Sequence, residues 1–455
     1  MSKDPGRSTS SSLRVLALLV AFVLVAAACG DSDDSESSDT ASSDTTTAEA
    51  ETTEAGASDA TEAPAESAGG GAPRDFAALA APSGEPMVIG MVNTEGPAGL
   101  NFPEIRTVAG STVDYLNEHG GFGGRPVELE VCVADSSPES SQACAQELVG
   151  KNVEMVFLGL DLFPDYPTYD AAGVPLVGVL PLFPADFAAE ALYLNGGNAT
   201  LAAGITALAA TEFEATNVAV VSADNPGANG SEASLLAALD AAGIAHRSIK
   251  GSDNETDAGF QGLVREALSE EPDLLISLYG DAGCIGMMRG RAALGSDIVT
   301  IAANTCAAGE VIEVAGDDAD GWYFVGGGDQ DDTAEFLAVK EAVAPAVDLA
   351  AEEVSLSDLG LGGLSHLMFF TMAVAANELA DSGGEVTGQG IYDYAKANDA
   401  GTLRIFPEGG PLDCGAAAAY PSVCVFTVPI GTYAGDGQTM VVPGLEQLSV
   451  VDFLA

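Results

Sequence analysis

The sequence predicts an α/β protein of two similar lobes, each a parallel-rich sheet flanked by helices. Three observations lead there. Short β-rich apolar runs alternate with segments of helical period from Met87 to Ala303, and such alternation builds parallel sheets. The rhythm lapses over Leu180–Asn198, with a break near Asn195–Asn198, and then restarts, giving two βα series and no short-period repeat. The ~380 residues after Pro73 also exceed what a single core organises.

Taken in order, Met87–Val92 is a strand, closed by turn chemistry at Asn93–Pro97. Phe102–Leu116 places Ile105, Val108, Val113 and Leu116 at helical spacing. His119-Gly120-Gly121 ends that helix, because glycine enters the left-handed region that helix ends use. Val127–Val133 completes a βαβ unit. Ser140–Lys151 (helix), Val153–Leu160 (strand), Asp165–Ala172 (helix) and Pro175–Leu180 (strand) continue it. The second series is helix Thr200–Phe213, strand Asn217–Ala223, helix Gly230–Ala242, strand His246–Lys250, helix Phe260–Ser269, strand Asp273–Tyr279, helix Cys284–Leu294 and strand Ile298–Ala303. Strand Gly321–Gly327 follows, then helices Thr333–Val347, Ser365–Asp381 and Tyr392–Asn398, then strands Val423–Ile430 and Met440–Val442. Strands that return after helices suit a chain crossing between lobes more than once. Open parallel sheets meet ligands at the carboxyl ends of their strands, so the loop Asn93–Asn101 is expected to face one.

The address is extracytoplasmic. Lys3, Arg7 and Arg14 precede the apolar run Val15–Ala28, which stops at Cys29. A basic start, a short apolar stretch and small residues before the cut describe a secretory signal over residues 1–28. The run is short for a membrane span, which needs about 20 apolar residues. Ala26-Ala27-Ala28-Cys29 resembles a bacterial lipobox with Ala26 in place of the usual Leu, so Cys29 is expected to carry lipid on the outer face of the cytoplasmic membrane. Residues 29–74 read as an acidic Ser/Thr/Asp/Glu tether. Gly30–Gly71 holds twelve acidic residues and no basic ones, a composition unable to offset its ordering entropy.

Thirteen of the 68 acidic and three of the 15 basic residues precede Arg74, which leaves 55 against 12 in the remainder. That balance excludes nucleic acid and an anionic membrane surface as partners. Cys132, Cys144, Cys284, Cys306, Cys414 and Cys424 remain after Cys29, an even set in a secreted chain. Pairing in sequence order is the simplest of about 15 connectivities. No Cys-x-x-Cys occurs, which disfavours zinc and thiol redox chemistry.

Catalytic machinery is not visible. No phosphate-binding loop, no strand–GxGxxG–helix and no G-x-S-x-G elbow occurs. His119, His246 and His366 have no partner four residues away, so no metal site is expected. His366, at the head of an apolar helix, either touches a ligand or packs. Asp329–Asp332 lacks the spacing of a calcium loop. No cofactor is implied. A two-lobed body without a nucleophile–base pair suits a clamp that hinges on a small molecule.

Three stretches resemble a known family. VIGMVNTEGPAG, YLNEHGGFGGRPVELEVCVAD and SSQACAQELVGKNVEMVFLG are similar to the type I periplasmic binding proteins, in particular the leucine/isoleucine/valine-binding branch of ABC-transporter receptors. Asn117, Gly120, Gly121, Gly124 and Arg125 occupy its motif positions, and VAGDDADGWYF and NVAVVSADNPGANG match further ones. The resemblance spans roughly Pro86–Gly435. It implies lobe 1 as 85–196 plus 327–422 and lobe 2 as 197–326 plus 423–455, joined by a three-crossover hinge.

The resemblance also implies a cleft site. Candidate ligand-binding residues are Glu95, Asn101, Phe102, Asp161, Phe163, Pro181, Leu182, Phe183, Asn225, Asn229, Tyr279, Asp281, Asn304 and Thr305. Phe102, Phe163 and Phe183 are equally at home in a core, and the asparagines in turns. Asp161 stands out as a lone acid between apolar residues at a strand end. The family's Ser and Thr after the third and fourth strands are missing from Gly159–Phe163 and Leu180–Pro184. Its late acidic residue is replaced by Asn304, and Asp281, after the Tyr279 strand, is the acid expected to compensate. The expectation is a monomeric, lipid-anchored solute-binding protein for ABC permease subunits, not an enzyme. Its solute is amino-acid-like, amide-like or partly apolar. The alternative is a ligand-sensing receptor for a membrane signalling kinase.

Overall fold

The computed structural model describes residues 74–96, 101–328 and 333–455. The expected signal, Cys29, the tether up to Pro73, the middle of the Asn93–Asn101 loop and Asp329–Asp332 lie outside the described residues.

The first sheet comprises β1 (Met87–Thr94), β2 (Val127–Ala134), β3 (Met155–Leu160), β4 (Leu176–Gly178) and β5 (Ala191–Tyr193) in the order β2-β1-β3-β4-β5. Every pairing in it is parallel. Its connecting helices are α1 (Pro103–Glu118), α2 (Pro138–Gly150), α3 (Tyr166–Ala172) and α4 (Pro184–Ala188). The chain then enters the second half through α5 (Gly197–Thr211). There β6 (Asn217–Ala223), α6 (Pro226–Ala242), β7 (Ala245–Gly251), α7 (Asp257–Ala267), β8 (Leu274–Leu278), α8 (Asp281–Ala293), β9 (Thr300–Ala303), α9 (Gly309–Ala315) and β10 (Trp322–Val325) follow. It returns to the first sheet as α10 (Ala334–Val347), α11 (Gly363–Asp381) and α12 (Gly388–Ala397). It ends with β11 (Thr427–Val428), β12 (Ile430–Gly435), β13 (Gln438–Val441) and β14 (Leu448–Ser449). The second sheet has the order β13-β12-β10-β9-β8-β6-β7, parallel except for the antiparallel β12 and β13.

The expected α/β fold with two parallel-rich, helix-flanked sheets is therefore observed. The differences lie in the tail and at the lapse. Leu180–Asn198 is not irregular: it holds α4 and β5, and β5 extends the sheet by pairing with β4. Val423 bridges Tyr193, so Val423–Val425 continue the first sheet, whereas a single strand was expected over Val423–Ile430. The strand proper is split into β11 and β12.

Local chemistry sets the boundaries. Ser137, Asn225, Thr256, Thr333 and Thr387 each cap a helix by accepting a backbone N–H three residues on. The residues that carry the family resemblance act at the opposite end of the first sheet from the ligand edge. Asn117 both donates to and accepts from Val127, tying the end of α1 to the start of β2. Arg125 grips both carboxylate oxygens of Glu154, at 3.0 and 2.6 Å, and donates to the Val386 and Pro86 carbonyls. Gly121 has φ +57°, and a Cβ there would meet the Arg125 carbonyl.

Three apolar layers result. Met87, Ile89 and Met91 on one face of the first sheet pack with α1, α10 and α11. Val92 and Val156 on its other face belong to a cluster that continues through α5 to Val218 and Val220 of the second sheet. Ala219 and Val221 face a third layer around Trp322. Leu359–Asp381 is long and apolar enough to cross a membrane, yet 72% of its most apolar window is buried within the fold, so it is a core helix. Phe76 is fully buried, edge-on to Phe370 and Phe406 at 5.2 Å each, and fastens the segment before β1 to this layer. The six cysteines pair in sequence order, 132–144, 284–306 and 414–424.

Candidate functional site at the carboxyl edges of the sheets

The carboxyl ends of β1, β3 and β4 carry the first half of the candidate set. Glu95 bridges Asn101 across the loop and is gripped by Arg106, whose Nε and Nη2 donate to its two oxygens at 2.7 and 3.0 Å. Hydrogen bonding from that guanidinium holds the Glu95 carboxyl below its usual range. Glu95 is thus an ion-paired brace. Asn101 is exposed, and Phe102 packs partly against the core while its carbonyl accepts from Asn93 Nδ2 at 2.8 Å.

Asp161 is only 8% exposed. Its Oδ1 accepts from Ser141 Oγ at 2.5 Å and from the Phe163 N–H at 3.1 Å, while Oδ2 is enclosed with no hydrogen-bond partner among the described residues. Burial pushes this carboxyl upward. Phe163 is 40% exposed and lies parallel to Phe183, ring centroids 6.2 Å apart. Pro181 is buried, and Leu182 and Phe183 are half-buried. The structure thus brings Asp161, Phe163, Leu182 and Phe183 into neighbouring loops of one edge.

Sequence reasoning missed the residue that shapes this edge. Asp186, on α4, accepts from the Leu182 and Phe183 N–H groups at 2.7 and 2.8 Å and from the Tyr166 hydroxyl at 2.7 Å. Tyr166 is in turn 2.7 Å from the Tyr193 hydroxyl. Those backbone donors are therefore committed within the lobe. Asp186 was one acid among 55, and its meaning depends on Tyr166, which lies 20 residues before it.

The second edge is more open. Asn225 caps α6 through Oδ1 and donates from Nδ2 to Asp253 at 2.8 Å. Asn229 accepts from Lys250, which also pairs with Glu232 at 2.6 Å. Tyr279 is buried, edge-on to Phe260, and its hydroxyl has no partner among the described residues. Burial, with Glu255 and Asp253 adding, pushes that phenol up to about 12. Asp281 is exposed at the start of α8 with φ +38°, and Asn304 and Thr305 are exposed on the 3-10 turn after β9. None of these three makes a side-chain bond that would orient it for a ligand.

His366 packs: it is 5% exposed within α11, and burial lowers its pKa to about 4. Two concavities of about 330 and 360 Å³ lie away from both edges, one beside Arg74, Glu335 and Arg404, the other beside Gln261, Arg289 and Asp318.

Comparison with known proteins adds to this geometry. No curated protein matches the sequence. An ABC transporter substrate-binding protein from Sphaerobacter thermophilus is similar in structure, with TM-score 0.58 and 18% identity over 80% of this chain and 100% of that one. A branched-chain amino acid ABC transporter protein from Thermus thermophilus with bound valine gives TM-score 0.57 and 13% identity over 81% and 98%. An extracellular ligand-binding receptor from Verminephrobacter eiseniae gives TM-score 0.53 and 14% identity over 78% and 99%. At these identities the likeness concerns the fold. A family model described as periplasmic binding protein matches residues 86–401, well over half of the sequence. The chain belongs to the periplasmic binding protein family.

Proposed function

We propose that this protein is the extracytoplasmic solute receptor of an ABC importer, held by lipid on Cys29 at the outer face of the cytoplasmic membrane and acting as a monomer. The observation that carries the reading is the pair of parallel-rich sheets whose strand ends both bear enclosed polar atoms without partners among the described residues, within a chain of the periplasmic binding protein family. The lobes are 85–196 plus 327–422 and 197–326 plus 423–455, with Val423–Val425 still held against the first sheet, and the passages between them form the hinge. A solute held at both edges favours the closed arrangement, which membrane subunits distinguish from the open one. The ligand has an apolar body lying against Phe163 and Phe183, with few polar anchors.

Melting of the purified full-length protein, followed across amino acids, amides, ureas, amines and short-chain acids, tests this. At least one should raise the melting temperature with micromolar or tighter affinity by calorimetry, and mass spectrometry should recover it unchanged. Absence of stabilisation by any of them, or recovery of a converted product, would overturn the reading. Co-purification with a permease subunit, rather than with a signalling kinase, separates transport from sensing.

A further inference from the structure

Resting on that reading, we infer that the solute's recognised head is a cation rich in N–H donors, an ammonium or amidinium-type group, received at the carboxyl edge of the first sheet. Asn93 pairs with Leu160 in the ladder, so Thr94 and Asp161 stand side by side one step beyond. Asn93 and Thr94 are fully buried and Asp161 nearly so. Asn93 Oδ1, Thr94 Oγ1 and Asp161 Oδ2 all lack a hydrogen-bond partner among the described residues.

Buried polar atoms are normally bonded, and three orphans at the ends of two neighbouring strands, Asn93 in phase with Met91 and Thr94 with Val92 of the other face, mark an edge where something else supplies the bonds. The Asn93 amide orientation is fixed, since Nδ2 donates to the Phe102 carbonyl and to Glu95. Its Oδ1 is therefore an acceptor, as is an ionised Asp161, and Thr94 serves either way. A partner that donates satisfies all three at once. Across the cleft, Tyr279 presents another orphan hydroxyl beside Asp253 and Glu255.

The charge balance agrees. The bases nearest these edges are engaged, Arg106 by Glu95 and Lys250 by Glu232 and Asn229. An anionic head would face Asp161 and Asp253 without a free base, whereas a cation meets both. Burial holds Asp161 toward its neutral form, and a bound cation reverses that preference.

Four ligands with one carbon skeleton and different heads test the inference on the full-length protein: 3-methylbutylamine, 3-methylbutanamide, 3-methylbutanoate and leucine. The amine should bind at least tenfold more tightly than the carboxylate by calorimetry, with the amide between them. Asp161→Asn should weaken the amine at least tenfold and leave the amide within about twofold. Asp253→Asn, on the other lobe, should weaken the amine less and checks the idea independently if Asp161→Asn fails to fold. Tightest binding by the carboxylate or leucine, or indifference of the amine to both substitutions, as expected if ordered water satisfies these atoms, overturns the inference and leaves the solute-receptor reading intact. No binding by any charge class, in these four or the wider panel, brings down both.

Discussion

The two lobes share one construction and finish it differently. In the second, Asn225 caps α6 and binds Asp253, Lys250 is shared by Asn229 and Glu232, and the Tyr279 hydroxyl stays without a partner among the described residues. In the first, Asn93, Thr94 and Asp161 each keep an enclosed atom without a partner among the described residues. The cores differ in the same sense. The first lobe is clasped by the Arg74–Leu79 segment, by the buried α11 and by clustered phenylalanines, while the second closes with the β12–β13 hairpin.

Replacing Phe76 by Ala is the strongest way to break this comparison. It leaves a cavity between Phe370 and Phe406 and should cost about 3–5 kcal/mol. If the lobes are independent, calorimetry will resolve an early transition for the first lobe. The apolar cluster that runs from Val92 through α5 to Ile430 predicts one cooperative transition instead.

His366 gives the next effect. Its folded pKa, lowered to about 4 by burial, lies below the unfolded value of 6.5. Its contribution is fully present above pH 6.5 and is lost as pH falls toward 4, because the unfolded chain takes up a proton the folded one refuses. The loss amounts to about 3 kcal/mol. His366→Leu should flatten that part of the stability–pH curve, measured by denaturant titration between pH 7 and pH 4.

Asp161 runs the other way. Its folded pKa is raised by burial, so its penalty is absent below the unfolded pKa and grows as pH rises through the folded one. Asp161→Asn should therefore stabilise the ligand-free protein at pH 7, and the gain should vanish once the pH falls below the ordinary carboxylate range. An equal gain at both pH values would show that charge is not the cause. Asn225→Ala makes the smallest change, a loss of about 1 kcal/mol from the missing cap, visible as a modest drop in melting temperature.

The alternation of β-rich runs and helical segments was legible because each run is long enough to show its period. β5, three residues long, and α4, five, are too short for period to register, so they vanished into an apparent lapse. The motif residues Asn117, Gly121 and Arg125 identified the family because they hold the amino edge of the first sheet together, and for that reason they are silent about the ligand. The site was half legible. Asp161 stood out as an acid among apolar neighbours, and Phe163 and Phe183 sit in adjoining loops as expected. Glu95 read as a candidate ligand contact, whereas its partner Arg106 lies across the loop in the first turn of α1. Unsatisfied atoms such as Asn93 Oδ1 leave no trace in sequence, since lacking a partner is a property of the whole fold.

The burial of Phe76 has a mechanical side. Chain entering at Arg74 is fastened at once to α10 through Glu335, which accepts the Arg74 N–H at 3.0 Å, and to the aromatic layer through Phe76. A pull on Arg74 is therefore taken up by the first lobe, and the second meets it only through the apolar layer that the two share.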